Sequence, residues 1–123
     1  MTLHRIITAL TLFSALFLAS VDAQAHAHLD RADPRVGSQV PKAPSVVTLW
    51  FTERLEPAFS GVEVHDASGG RVDTGTATVD RNDPTRMQIG VKALKPGTYK
   101  VYWHVMSVDT HKTTGSFTFR VGP

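Results

Sequence analysis

The stretch "GTYKVYWHVMS", residues 97–107, alternates apolar and polar side chains along its whole length. Tyr99, Val101, Trp103 and Val105 fall on one side, and Lys100, Tyr102, His104 and Met106 on the other. A period of two sustained this long fits an extended strand with one buried face, and excludes a helix, whose apolar stripe returns about every 3.6 residues. The same period recurs in "SVVTLWF" (45–51), "GVEVHD" (61–66), "TRMQIGV" (85–91) and "GSFTFRV" (115–121). It sets Val47, Leu49 and Phe51 on one face of the first run against Val46, Thr48 and Trp50 on the other, turns Val62 and Val64 inward, and gives Met87, Ile89 and Val91, and Phe117, Phe119 and Val121, as the apolar faces of the last two. Between these runs lie "ASGG", "RNDP" and "LKPGT", whose Gly, Pro and Asn/Asp supply the backbone angles that turns require. No helical pattern, repeat or low-complexity tract interrupts them. The expected fold is therefore all-β: an antiparallel, immunoglobulin-like Greek-key β-sandwich or small barrel of about seven strands.

The first 25 residues read differently. Met1 to Arg5 form a short basic start, and Ile6 to Val21 an almost unbroken apolar run that ends in small residues at Ala23 and Ala25. Sixteen residues fall short of the roughly 18 needed for a membrane span, and Ala-x-Ala is what a signal peptidase recognises. Residues 1–25 are thus expected to be a cleaved secretory signal and residues 26–123 a single domain. A second Ala-x-Ala, Ala25-His26-Ala27, would place the cut two residues later, and the leader's composition does not choose between the two.

A domain of that size buries roughly 60 to 65% of its unfolded surface and can just sustain one core. Without Arg5 and Asp22 its formal net charge stays at +2, too weak and dispersed to suggest nucleic acid or membrane binding. Cysteine is absent, which is unusual in a small exported domain and points to a bacterial envelope protein that relies on packing. It also excludes thiolate catalysis, zinc knuckles and cysteine-based copper(I) sites.

Chemistry on such a scaffold must come from the histidines at 26, 28, 65, 104 and 111 and the carboxylates near them. In "SVDTHK" (107–112), Asp109 and His111 would share a side if the backbone were extended, because residues i and i+2 do. Alone, that pair reads first as a turn aspartate beside a surface histidine. A cut after Ala25 would add to it, since the α-amine and imidazole of His26 lie within chelate reach of each other. Three nitrogens and one oxygen suit tetragonal copper(II), the strongest binder among divalent first-row metals; zinc fits less well.

The chain resembles the CopC family of periplasmic copper-resistance proteins over nearly all of residues 26–123. The likeness is carried by "HAHLDRADP", "VTLWFTERLEPAFSGVEV" and "KPGTYKVYWHVMSVDTHKTTGSFTFRV". In that family the exported chain begins with His and has Leu three residues later, so Leu29 implies a cut before His26.

The resemblance implies one copper(II) per chain in a histidine brace: His26 through amine and imidazole, with Asp109 and His111. Glu53 matches a family acidic residue near the site, axial or one step removed from the metal. Trp103 matches a tryptophan in the core near the copper and reads chiefly as a central packing residue of the sandwich. Some family members carry a second, methionine-rich copper(I) site; residues 65–86 here hold no Met, which implies a single site. His65 could be a remnant of the missing site, yet beside Glu63 it reads as a solvated histidine. His28 could chelate copper through deprotonated backbone amides, but a strand beginning at Leu29 leaves the backbone poorly placed to wrap a metal.

The implied role is copper carriage or buffering in the periplasm without catalysis, with a CopD-type membrane copper transporter as partner. The alternatives are a brace-type copper monooxygenase and a metal-free sandwich module. Against the enzyme, Asp109 would fill a position that oxygen chemistry needs open, and so small a domain leaves little surface for gripping a polymer.

Overall fold

The computed structural model describes residues 27–123; the expected leader and His26 lie outside them. Eight strands follow in order: β1 (Leu29–Asp33), β2 (Gln39–Val40), β3 (Val46–Phe51), β4 (Gly61–His65), β5 (Asp73–Val79), β6 (Arg86–Val91), β7 (Gly97–Met106) and β8 (Lys112–Val121). They form two four-stranded sheets, β1-β3-β6-β5 and β2-β8-β7-β4. The architecture is a sandwich rather than a barrel. All pairings are antiparallel except the short β2, which runs parallel to β8.

The alternation read from the sequence sets which faces meet. Val47, Leu49, Val64, Met87, Ile89, Val101, Val105 and Phe119 are fully buried between the sheets. Tyr99 stacks on Phe119 at 5.6 Å, and its hydroxyl donates to the carbonyl of Lys95 at 2.5 Å, anchoring the start of β7. This is the tyrosine-corner arrangement of immunoglobulin-like sandwiches. Trp103 departs from a purely central role. It is half-buried, meets Phe51 edge-on at 5.1 Å, and lies across Gly115, where a Cβ would come within 2.3 Å of the indole.

Three strands carry no clear alternation. β2 has two residues. β1 and β5 are sheet edges whose register shifts, between Leu29 and Arg31 and between Asp73 and Ala77. In β5 the shift coincides with Gly75 at φ 95°, and a bulge of this kind breaks the period of two.

Asp73 joins the two sheets along one side. It is 4% exposed on β5, and it accepts hydrogen bonds from the backbone N–H of Val64 on β4 at 2.8 Å and of Gly75 at 2.8 Å. Arg71 completes the set from Nε at 3.2 Å and Nη2 at 2.8 Å. Burial pushes this carboxyl up, but the Arg71 bond and charge and the two amides outweigh it and hold it below its ordinary value.

Replacing Asp73 by Asn should cost about 1–3 kcal/mol at neutral pH, read from the urea midpoint. A carboxyl with a depressed folded pKa stabilises above its unfolded value of about 3.9 and loses that contribution as the pH falls through the folded one. The difference between wild type and variant should therefore narrow below about pH 4. An equal difference at about pH 3 would contradict the role of the charge.

Candidate metal centre

The β7–β8 hairpin ends in a tight connection. The N–H of Thr110 donates to the carbonyl of Ser107 at 2.8 Å, and the N–H of Ser107 donates to the carbonyl of His111 at 3.0 Å. Thr110 itself sits at φ 72°, the left-handed region that a β-branched residue seldom enters. An i→i+3 turn followed by a left-handed residue is the common three-residue hairpin loop, in which Gly or Asn usually holds the last place. Asp109 and His111 do converge, with Oδ2 and Nδ1 3.3 Å apart, but a turn brings them together and not an extended strand. The expected convergence of the two side chains is met, but on a turn rather than on extended backbone.

Both side chains are about half exposed, at 49% and 46%. Below them Ser107 is buried, and its hydroxyl donates to Asp109 Oδ1. That bond, with the His111 contact and charge, holds the Asp109 carboxyl below its ordinary value against a smaller upward effect of desolvation. The result is an ionised carboxylate beside an imidazole at the rim of the sandwich.

Two other segments are tied to this rim. In the β3–β4 connection the carbonyl of Arg54 accepts from Val108 N–H at 3.0 Å, Glu56 N–H donates to Met106 at 2.8 Å, and Leu55 bridges to Ser107. Glu53 stands half-buried in that connection. At the start of the described chain, Ala27 is buried and its carbonyl accepts from the Thr113 hydroxyl at 2.8 Å. His28 follows, exposed, its N–H donating to Thr52 Oγ1 at 2.9 Å and its carbonyl accepting from Thr52 N–H at 2.9 Å.

Among the described residues no three His, Cys, Asp or Glu side chains group to hold a metal, so they supply the Asp109–His111 pair and not a complete ligand set. His65 lies elsewhere, half-buried on the outer face of β4 opposite Lys100, with Tyr102 edge-on at 4.9 Å and Nδ1 3.2 Å from the Gly69 carbonyl. It is thus packed rather than freely solvated. His104 is exposed on the same outer face, over Gly61, as its place in the alternation predicts. Met87 is in the core and Met106 at the end of β7, so the two form no cluster. Ser107, Thr52 and Thr113 escaped the sequence reading; a serine two residues before an aspartate is a common turn pattern and marks no site by itself.

A family model described as the CopC domain matches residues 29–122. The chain belongs to the CopC family. It is 41% identical over 117 residues to copper resistance protein C of Pseudomonas syringae pv. tomato, covering 90% of this chain and 92% of that one. The crystal structure of CopC from Methylosinus trichosporium OB3b superposes with a TM-score of 0.71 at 30% identity, covering 80% of this chain and 95% of that one. PcoC of Escherichia coli, described as methionine-rich, superposes at 0.67 with 36% identity, covering 79% and 99%. This CopC chain shares the sandwich with PcoC but contains only three methionines in all.

The strained residue between the two site side chains gives a test. A left-handed backbone costs an L-residue about 1–2 kcal/mol, whereas glycine's extra freedom in the unfolded chain costs about 0.5–1 kcal/mol. Thr110→Gly should therefore raise the melting midpoint of the metal-free protein by a few degrees, roughly 2–6 °C. A lower midpoint would show that the Thr110 side chain, whose hydroxyl is 2.6 Å from the Asp109 carbonyl, outweighs the strain.

Proposed function

We propose that this protein is a periplasmic copper(II) carrier that binds one ion per chain and releases it unchanged. The observation that carries the proposal is the ionised Asp109 beside His111, at the rim where Ala27 is fastened to Thr113. Thr113 is two residues from His111, and His26 precedes Ala27 directly, so His26 has a single residue of chain to span. In a chain that starts at His26, its α-amine and imidazole would join Asp109 and His111 as ligands. Glu53 is close enough in sequence to the Arg54–Val108 bond to serve as an axial or water-linked group.

The donor set favours copper(II). Amine, imidazole and carboxylate are nitrogen and oxygen donors, and copper(II) heads the order of divalent affinities for them. Copper(I) would want thioethers or thiolates, but there is no cysteine, Met87 is fully buried, and Met106 at the end of β7 forms no cluster with it. His28 is a poor competitor: chelation through its own amide would require that nitrogen to lose its proton, and the N–H is engaged with Thr52. Carriage without turnover fits a carboxylate already beside the imidazole, where an oxygen-activating copper would need an open position. A cleaved leader over residues 1–25, as the sequence leads one to expect, would support a periplasmic location, and a CopD-type membrane copper transporter is the partner the family suggests.

Copper titration against a competing chelator tests the proposal. His111→Ala should weaken binding by at least about 100-fold, because it removes a ligand outright. His65→Ala should leave affinity within about threefold, since His65 pairs with Lys100, six residues and about 20 Å along β7 from Met106 at the hairpin end. Nitrogen ligands bind only without their protons, so affinity should also fall more than about 100-fold from pH 8 to pH 5. Equal loss in both variants, or a flat pH profile, would refute this ligand set.

A further inference from the structure

We infer that Ser107 is a positioning residue for the copper site: its buried hydroxyl holds one oxygen of Asp109, so that bound copper meets the other oxygen alone. The inference rests on the copper(II) reading above and adds to it how the carboxylate is presented.

Three features of Ser107 support it. It is 1% exposed, although the side chains of Asp109 and His111 are about half exposed. Its backbone is fixed on both sides, by the bridge to Leu55 and by the N–H bond to the His111 carbonyl. Its hydroxyl has one proton, and the hydrogen bond to Asp109 Oδ1 directs that proton at the carboxylate oxygen; the His111 carbonyl, at 3.3 Å, is the more distant acceptor. A buried donor on a fixed backbone has little freedom to turn elsewhere.

The effect on Asp109 follows from geometry. An aspartate at an exposed hairpin tip is free to rotate and to offer a cation either oxygen or both. Here Oδ1 is occupied, and Oδ2 is the oxygen facing Nδ1 of His111 at 3.3 Å. A single oxygen directed beside an imidazole suits one corner of a tetragonal set and leaves the remaining corners for the amine and imidazole of residue 26. It also removes rotational freedom before the ion arrives, so less is lost on binding. Groups that orient a ligand in this way change metal affinity by roughly 10–100-fold when removed.

The test uses the exported protein starting at His26, with copper(II) alone as probe. Ser107→Ala should bind copper at least about tenfold more weakly and alter the parallel hyperfine features of the electron paramagnetic resonance spectrum, while the urea midpoint confirms folding. Ser107→Thr, which keeps the hydroxyl, should restore both affinity and spectrum. In an Asp109→Ala background, Ser107→Ala should cost nothing further, because the serine acts through the carboxylate; this comparison holds even where Ser107→Ala shifts stability. Wild-type affinity and spectrum in Ser107→Ala, or an additive loss in the double variant, would overturn the inference while leaving the copper reading intact. If the wild type itself takes up no copper, the two fall together.

Discussion

The pairing of β7 with β8 is the interaction on which the rest of this molecule depends. Their register runs unbroken from Gly97 opposite Val121 to Met106 opposite Lys112. Along it, one face of the ribbon delivers Tyr99, Val101, Val105, Phe117 and Phe119 to the core. Because strands alternate strictly, a slip of one residue would turn every one of these outward, so burial locks the register. The hairpin loop inherits that rigidity, and Asp109 and His111 stand on the loop. Packing the core and presenting the site are consequences of one ladder.

The rim around the loop ties in distant parts of the chain through hydrogen bonds to backbone groups, with Leu55 and Ala27 buried beneath it. The Arg54 carbonyl receives Val108 N–H, the Met106 carbonyl receives Glu56 N–H, Thr52 brackets His28, and the Ala27 carbonyl receives the Thr113 hydroxyl. Each bond uses a backbone group that the sheets leave unpaired, and such groups need partners wherever water is excluded. One of these bonds fastens the start of the described chain to Thr113, two residues from His111. The chemistry the described residues leave at the rim is a carboxylate beside an imidazole, and it is to this pair that the proposed copper site adds His26.

What the sequence made legible follows from how strictly each feature obeys a period. The core faces of β3, β4, β6, β7 and β8 could be read directly, since half-buried strands must alternate. β1 and β5 could not, because bulges at sheet edges break the alternation, and β2 is too short to show one. Asp109 and His111 were recognisable as a pair of donor types, yet the turn that unites them depends on Thr110 occupying a backbone region its side chain disfavours. No local pattern announces that. Ser107 was hidden for a related reason: its burial comes from the bridge to Leu55, far away in sequence. Trp103 read as a central packing residue and stands instead at a half-buried position, where Gly115 makes room for its ring.

The central claim is that copper is held by a chain end brought to the β7–β8 loop. Electron paramagnetic resonance tests it most directly, on protein that begins at His26 and carries one equivalent of copper(II), compared with the same protein bearing one extra N-terminal glycine. The account predicts a tetragonal spectrum with nitrogen couplings that changes when the glycine is added, since the extension moves the α-amine away from the His26 imidazole. Identical spectra from the two proteins would contradict it and place the copper elsewhere.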